Sequence, residues 1–270
     1  MGLALITGGS SGLGVTFARR LAQSGHDVTL VARRRERLEE VALQLTREYR
    51  IHSEPLVADL ATDEGIAAVV QYIDSAPRLD YLVNNAGFGT MGLFFNADIA
   101  RQDRMHRLHV MAILHLSHAA LRKMVPQRTG AIINVSSVSA FSIVAGSASY
   151  GATKAWINAF TKALDAELRL TGSPVKVQAL CPGFTVTDFH DTLGMDRKLV
   201  PAWLWLSPDE VVEQSLAALN STNVVIVPGW RYKFFVAALK HLPESVLRRM
   251  GQATGRRMKR LLTEGPGGVR

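Results

Sequence analysis

The chain is predicted to fold as an α/β protein, a parallel sheet covered by helices on both faces. Three observations point there. Short apolar runs alternate with longer stretches of helical periodicity through residues 1–230. The first run leads directly into a glycine-rich turn and then a helix. The 270 residues, 47% of them hydrophobic, suit one well-cored domain.

Taken in order, Leu3–Ile6 is a short apolar run of the kind that forms a buried strand. After the turn, Val15–Ser24 is helical, with Val15, Ala18, Leu21 and Ala22 on its apolar side and Gly25 as its stop. Val28–Val31 is strand two. Glu36–Tyr49 is a helix with Leu38, Val41, Ala42, Leu45 and Tyr49 on one stripe. Pro55–Val57 carries the end of strand three, Thr62 caps a helix through Ile73, and Leu79–Val83 is strand four. A long helical pattern runs from Asp103 to Met124, followed by strand five at Ala131–Val135. Tyr150–Leu170 is helical and Val175–Leu180 is strand six. Ser207-Pro208-Asp209-Glu210 is a capping box that opens a helix to Leu219. Strand seven, Val224–Val227, ends at Pro228-Gly229. Ligands of such sheets sit beyond the carboxyl ends of the strands.

Two segments carry chemistry. Thr7-Gly8-Gly9-Ser10-Ser11-Gly12-Leu13-Gly14 joins strand one to a helix, the context a dinucleotide-binding turn needs. Glycines let the backbone approach a pyrophosphate, and the helix start presents N–H groups and positive dipole to it. The spacing is Gly-x3-Gly-x-Gly rather than Gly-x-Gly-x-x-Gly, a variant turn; an ordinary glycine loop is the plainer reading, and the strand–turn–helix context weighs against it. Tyr150-Gly151-Ala152-Thr153-Lys154 places a phenol and an ammonium one helical turn apart on one face. A neighbouring cation favours the phenolate, so this Tyr is expected to have a lowered pKa and to serve as a general acid/base. Taken alone the pair could equally be a solvated helix face.

Five motifs in order and spacing make the chain resemble the short-chain dehydrogenases/reductases over Gly2–Val227. They are Thr-Gly-x3-Gly-x-Gly at Thr7–Gly14, Asn-Asn-Ala-Gly at Asn84–Gly87, Ser137 thirteen residues before the Tyr, Tyr-x3-Lys at Tyr150–Lys154, and Pro182-Gly183 followed by Thr187. The resemblance implies a single Rossmann-type, doubly wound domain of seven parallel strands in the order 3-2-1-4-5-6-7. It implies an oxidoreductase using a nicotinamide cofactor, closest to bacterial members of unassigned substrate range. Ser137 would hydrogen-bond a substrate carbonyl, Tyr150 would protonate its oxygen, and Lys154 would hold the cofactor ribose. Gly8, Ser10, Ser11, Gly12, Leu13 and Gly14 would cradle the phosphates. Asn85, Ala86 and Gly87 would run beside the ribose and nicotinamide half, Asp59 and Leu60 beside the adenine, and Pro182, Gly183 and Thr187 over the carboxamide.

At one position the chain departs from the family: His109 stands where an Asn supporting a water-mediated proton relay is expected. An imidazole titrates near neutrality and can shuttle protons. Two readings stay open, His109 in the relay or His109 packed in a helix kink.

The residues after strand two bear on cofactor choice. An acidic residue there binds an adenosine 2′-hydroxyl, whereas a 2′-phosphate calls for arginine. Here Ala32 is followed by Arg33, Arg34 and Arg35 with no carboxylate, which predicts NADP(H). The plainer reading, a solvated basic helix start, fits Arg35 best.

Composition adds limits. Cys181 is the only cysteine, so no intramolecular disulfide forms, and at the end of strand six it suits packing. No apolar run reaches the length of a membrane span, and a strand at residue 3 leaves no room for a signal peptide, so a cytoplasmic protein is expected. Residues 1–230 balance 21 Lys/Arg with 21 Asp/Glu, whereas Arg231–Arg270 holds ten basic residues against Glu244 and Glu264. This C-terminal extension of 231–270 is expected to be helical, with Val246, Leu247, Met250, Met258, Leu261 and Leu262 at helical spacing among arginines. A basic amphipathic helix can pack on the body with a solvated cationic face, lie peripherally on an anionic membrane, or bind an acidic carrier protein. No recognised nucleic-acid-binding module accompanies it.

The expected substrate is a small carbonyl or alcohol of fairly apolar character. Phe88, Met91, Phe94, Phe95, Phe141 and Val144 follow the motif residues, and Phe184, Phe189, Leu193, Met195, Trp203 and Trp205 populate an expected lid of about 184–206, where Arg197 and Lys198 are the only cations. The alternative function is an NADP(H)-binding sensor with little turnover, against which the intact Ser137, Tyr150 and Lys154 set argues. A homodimer or homotetramer is expected by resemblance, through the helices near 103–124 and 150–170.

Overall fold

The computed structural model describes residues 2–189, 197 and 200–263. Its sheet has seven parallel strands: β1 (Leu3–Thr7), β2 (Asp27–Ala32), β3 (Ser53–Val57), β4 (Tyr81–Asn84), β5 (Ala131–Val135), β6 (Lys176–Leu180) and β7 (Val225–Ile226), in the order 3-2-1-4-5-6-7. The reversal between β1 and β4 opens a crevice at the carboxyl ends of the central strands. Pro55 is tolerated because β3 is an edge strand, where a missing N–H breaks no second ladder.

Alternation along the strands feeds two cores. On one face Ala4, Ile6, Val28, Leu30 and Leu180 meet α1 (Gly12–Gln23) and α2 (Arg35–Tyr49) through Phe17, Leu21, Leu38 and Leu45. On the other, Leu5, Val31, Leu82 and Ile132 meet Ile66, Val69 and Ile73 of α3 (Asp63–Ser75) and Leu116 of the later α5 (Ala112–Gln127). As expected, the Thr62 side chain caps α3 by accepting from Gly65 N–H at 3.0 Å.

The long helix expected from Asp103 to Met124 is three pieces. α4 (Ile99–His106) starts earlier because the Asp98 carboxylate caps Ala100 N–H at 3.0 Å. Residues Arg107–Met111 then adopt a π-helical turn before α5. One widened turn inserts an extra residue into the helical period and turns His109 inward, where it is fully buried.

Helix α6 (Ala148–Leu170) carries the Tyr/Lys pair. The capping box opens α7 (Pro208–Ala218), with the Ser207 hydroxyl accepting from Glu210 N–H at 3.1 Å. The C-terminal extension forms α8 (Trp230–His241) and α9 (Glu244–Thr263). Tyr232 and Val236 of α8 join the first core, and Gly255 of α9 lies so near Ala145 that an added Cβ would meet the Ala145 Cβ at 2.5 Å. As far as Gly255, the extension is therefore packed on the body.

Candidate active site

The ends of six strands, β1 to β6, assemble the site. The β1–α1 turn is tight: Gly8 and Gly12 hold φ of +68° and +54°, a region that favours glycine, and a Cβ on Gly8 would stand 2.7 Å from Asn85 Nδ2. Thr7 organises the crossing from β1 to β4. Its hydroxyl accepts from Asn85 N–H and Ala86 N–H, both at 2.9 Å, while Asn85 Nδ2 donates to Thr7 O at 2.9 Å. The Asn85 side chain is thus spent on the glycine turn. Ser11 begins α1 with no side-chain cap, so the backbone N–H groups of its first turn are left for a ligand.

At the next strand ends, Arg34 reaches back to the Ser10 hydroxyl at 3.4 Å, and Arg33 stands exposed beside it. Arg35 turns away to pair with Glu39, as the plainer reading of that residue holds. Asp59, after β3, accepts from Ala61 N–H at 3.0 Å and from Arg104 at 2.7 Å. Burial opposes its ionisation, but the Ala61 and Arg104 bonds and the nearby Arg33 hold its carboxyl below the usual range. Leu60 is buried in the second core, so its side chain is not free to face a ligand. Sequence reasoning missed Arg104, which reaches Asp59 from α4 across 45 positions of the chain.

Ser137 follows β5, its oxygen accepting from Ser139 N–H at 3.1 Å. Tyr150 and Lys154 lie opposite on α6. Lys154 is buried, donates to Val135 O at 2.9 Å and sits 5.6 Å from the centre of the Tyr150 ring. Burial lowers the Lys154 ammonium to about 7. The Tyr150 ring keeps some exposure, yet burial around its hydroxyl pushes the phenol up to about 12, against the downward pull of the Ser137 hydroxyl. This corrects the expectation of an acidified phenol. The ammonium stands off the ring and is itself weakened by burial, so desolvation wins. Cys181, buried and hydrogen-bonded to Asn158, has its thiol raised to about 11 by burial and is inert.

His109 does not titrate near neutrality as expected. Burial first, then Lys154 and His106, push its pKa well below 6.5. Its Nδ1 lies 3.0 Å from the Thr153 hydroxyl, which itself donates to Tyr150 O at 2.8 Å. A hydroxyl has one proton, so Thr153 accepts from His109 Nδ1–H and the neutral ring leaves Nε2 as a bare acceptor. That Nε2 is buried without a partner and faces Gly87, and the ring packs edge-on to Tyr150 at 5.8 Å.

Beyond β6, Pro182 O accepts from Val138 N–H at 3.0 Å, tying the two strand ends together, and Thr187 lies over Gly12. The ends of the segment expected to form a lid are joined: Leu206 N–H donates to Phe184 O at 2.9 Å and Val186 N–H to Leu206 O at 3.0 Å. Tyr232 clasps them, its Oη accepting from Phe184 N–H at 3.0 Å and donating to Leu204 O at 2.8 Å. Phe189 packs on Tyr150 at 6.1 Å and Phe184 on Trp205 at 5.6 Å. Leu193, Met195 and Lys198 lie outside the described residues. Phe94 and Phe95 are exposed rather than lining the cleft.

A glycine turn at β1 and a Ser/Tyr/Lys set at β5 and α6 thus share the carboxyl end of a doubly wound parallel sheet, where such folds bind their ligands. Residues 2–198 match the family model described as short chain dehydrogenase. The chain is 36% identical over 199 residues to an uncharacterized oxidoreductase of Staphylococcus epidermidis, covering 73% of this chain and 84% of that one. Among solved structures it is similar to a short-chain dehydrogenase from Sphingobium yanoikuyae in complex with NADPH, with TM-score 0.80, 34% identity, and 89% and 94% of the two chains covered. It is also similar to the bulky-bulky ketone specific alcohol dehydrogenase from Comamonas testosteroni, with TM-score 0.76, 28% identity, and 96% and 94% covered. The chain belongs to the short-chain dehydrogenase family.

Proposed function

We propose that the protein is an NADPH-dependent reductase of fairly apolar ketones or aldehydes, with Tyr150 as the proton donor. The observation that carries this is the convergence of Ser137, Tyr150 and Lys154 at the carboxyl end of β5, with the phenol held in its protonated form. A protonated phenol is the form that carbonyl reduction consumes. NADPH is supported by Arg33 and Arg34 at the end of β2, where no carboxylate repels a 2′-phosphate, and by the NADPH bound to the Sphingobium relative.

The residues present fit this cofactor: the turn is too close-packed for side chains at Gly8, and the α1 N–H groups are uncapped. When bound, the reduced nicotinamide supplies a hydride to the carbonyl carbon. Ser137 donates a hydrogen bond to the carbonyl oxygen. Tyr150 transfers its proton to that oxygen as negative charge builds there, giving the alcohol. Lys154, fixed on Val135 O, holds ribose hydroxyls and returns a proton toward Tyr150. His109 positions the start of α6 through Thr153 and does not titrate in the cycle. The apolar class of substrate is supported by Phe189 over Tyr150, by the Phe184–Trp205 pair in the lid and by the bulky ketones named for the Comamonas relative.

The test is NADPH oxidation against a panel of aliphatic, aromatic and polycyclic ketones and aldehydes, with Tyr150→Phe alongside. Turnover that falls at least about a hundred-fold in Tyr150→Phe supports the reading. Tight NADPH binding with no turnover on any member refutes it and leaves a cofactor sensor.

A further inference from the structure

Helix α8 is apolar on both of its faces. Tyr232, Val236 and Leu239 are buried against the domain. Trp230 and Phe234, one turn apart, are 71% and 74% exposed. Trp203 of the lid, 59% exposed, joins them through Arg231. That guanidinium lies 4.9 Å from the Trp230 ring and 5.6 Å from the Trp203 ring, and it donates to Trp203 O at 3.2 Å. Exposed Lys233 lies on the same helix. A cluster of exposed large aromatics marks an interaction site.

Charge selects what covers it. Arg231–Arg270 carries ten basic residues and two acidic ones, while the rest of the chain is balanced. A second copy docking through the same patch would bring Arg231 and Lys233 of the two copies together, since a two-fold interface pairs identical surfaces. Like charges brought together that way oppose the contact. An anionic surface attracts them. Tryptophan rings with arginine and lysine beside them suit a bilayer boundary, where the ring is half-immersed and the cation meets a headgroup phosphate.

We infer that the Trp203–Trp230–Phe234 face docks the protein peripherally on an anionic lipid bilayer, with the lid edge against the lipid. Among the described residues no helix is long and apolar enough to cross a membrane.

The test is co-sedimentation of the full chain with vesicles of phosphatidylcholine alone and of phosphatidylcholine with phosphatidylglycerol, at low and high salt, with tryptophan emission recorded. The protein pellets with the phosphatidylglycerol vesicles at low salt, its emission shifts to the blue, and salt releases it. Trp230→Ser with Phe234→Ser lowers the partition coefficient at least about ten-fold at an unchanged melting temperature, as expected for two aromatics leaving an apolar layer. Absence of pelleting at low salt overturns the inference. So does equal pelleting with pure phosphatidylcholine, or a double variant that pellets like the parent. A double variant that turns a dimer into a monomer assigns the face to a second copy and also overturns it.

Discussion

Gly183 and Tyr232 are 49 positions apart in sequence and share one volume. A Cβ built on Gly183 runs into Cζ, Cε1 and Cε2 of the Tyr232 ring, well inside van der Waals contact, and the Gly183 backbone is not at positive φ. The ring alone therefore forbids a side chain there. Gly183→Ala should force the ring away, adding about 1–3 kcal/mol of overpacking. It should also break the bonds to Phe184 N–H and Leu204 O, at about 1 kcal/mol each. The sum is about 3–5 kcal/mol against the folded, lid-fastened state. In a Tyr232→Ala background the clash has no partner, and the same substitution should cost less than about 1 kcal/mol. Urea unfolding of the four proteins gives the coupling directly, and KM for the carbonyl substrate reports the lid. Additive effects of the two substitutions would refute the shared-volume argument.

Arg33→Asp and Arg34→Asp should each lower kcat/KM for NADPH by about ten- to a hundred-fold and leave NADH nearly untouched; equal losses for both cofactors would mean the pair does not read the 2′-phosphate. Lys154 titrates near 7 in the folded protein and near 10.5 when free, so the folded form holds fewer protons between those values and its stability climbs with pH across that window. Tyr150, raised from 10 to about 12, works in reverse: its contribution is fully present below pH 10 and is lost as pH rises from 10 through about 12. Urea midpoints measured from about pH 7 to 10 should therefore rise for the parent and flatten for Lys154→Met, and parallel curves would contradict the buried ammonium. His109→Asn should lower stability by about 1–2 kcal/mol through the lost Thr153 bond while leaving the shape of the pH–rate profile from about pH 6 to 8 unchanged. An inflection lost on substitution would restore His109 to the proton relay.

Much of this was legible in the chain. Short apolar runs, glycine stops and the Thr62 and Ser207 caps write the sheet and its helices into local sequence, and motif spacing locates the strand ends where Ser137, Tyr150 and the glycine turn meet. What stayed hidden depends on tertiary placement. Nothing local marks Arg104 as the partner of Asp59, or Tyr232 as the clasp of the lid, because each meets its partner across tens of residues. The sign of the Tyr150 shift was also beyond reach: spacing gives the neighbouring ammonium but not the depth at which both groups are buried. The π-turn at Arg107–Met111 escaped because a one-residue insertion leaves the apolar period almost intact.

The clasp has a consequence for how the protein comes into being. Chains emerge from the ribosome with the amino end first, so the glycine turn, Ser137 and Tyr150 are synthesised well before Tyr232. Until that residue arrives, Phe184 N–H and Leu204 O lack the side chain that joins them, and the backbone bonds of Phe184 and Val186 with Leu206 are left to tie the two ends together. A molecule clipped before α8 would lack the Tyr232 hydroxyl that accepts from Phe184 N–H and donates to Leu204 O.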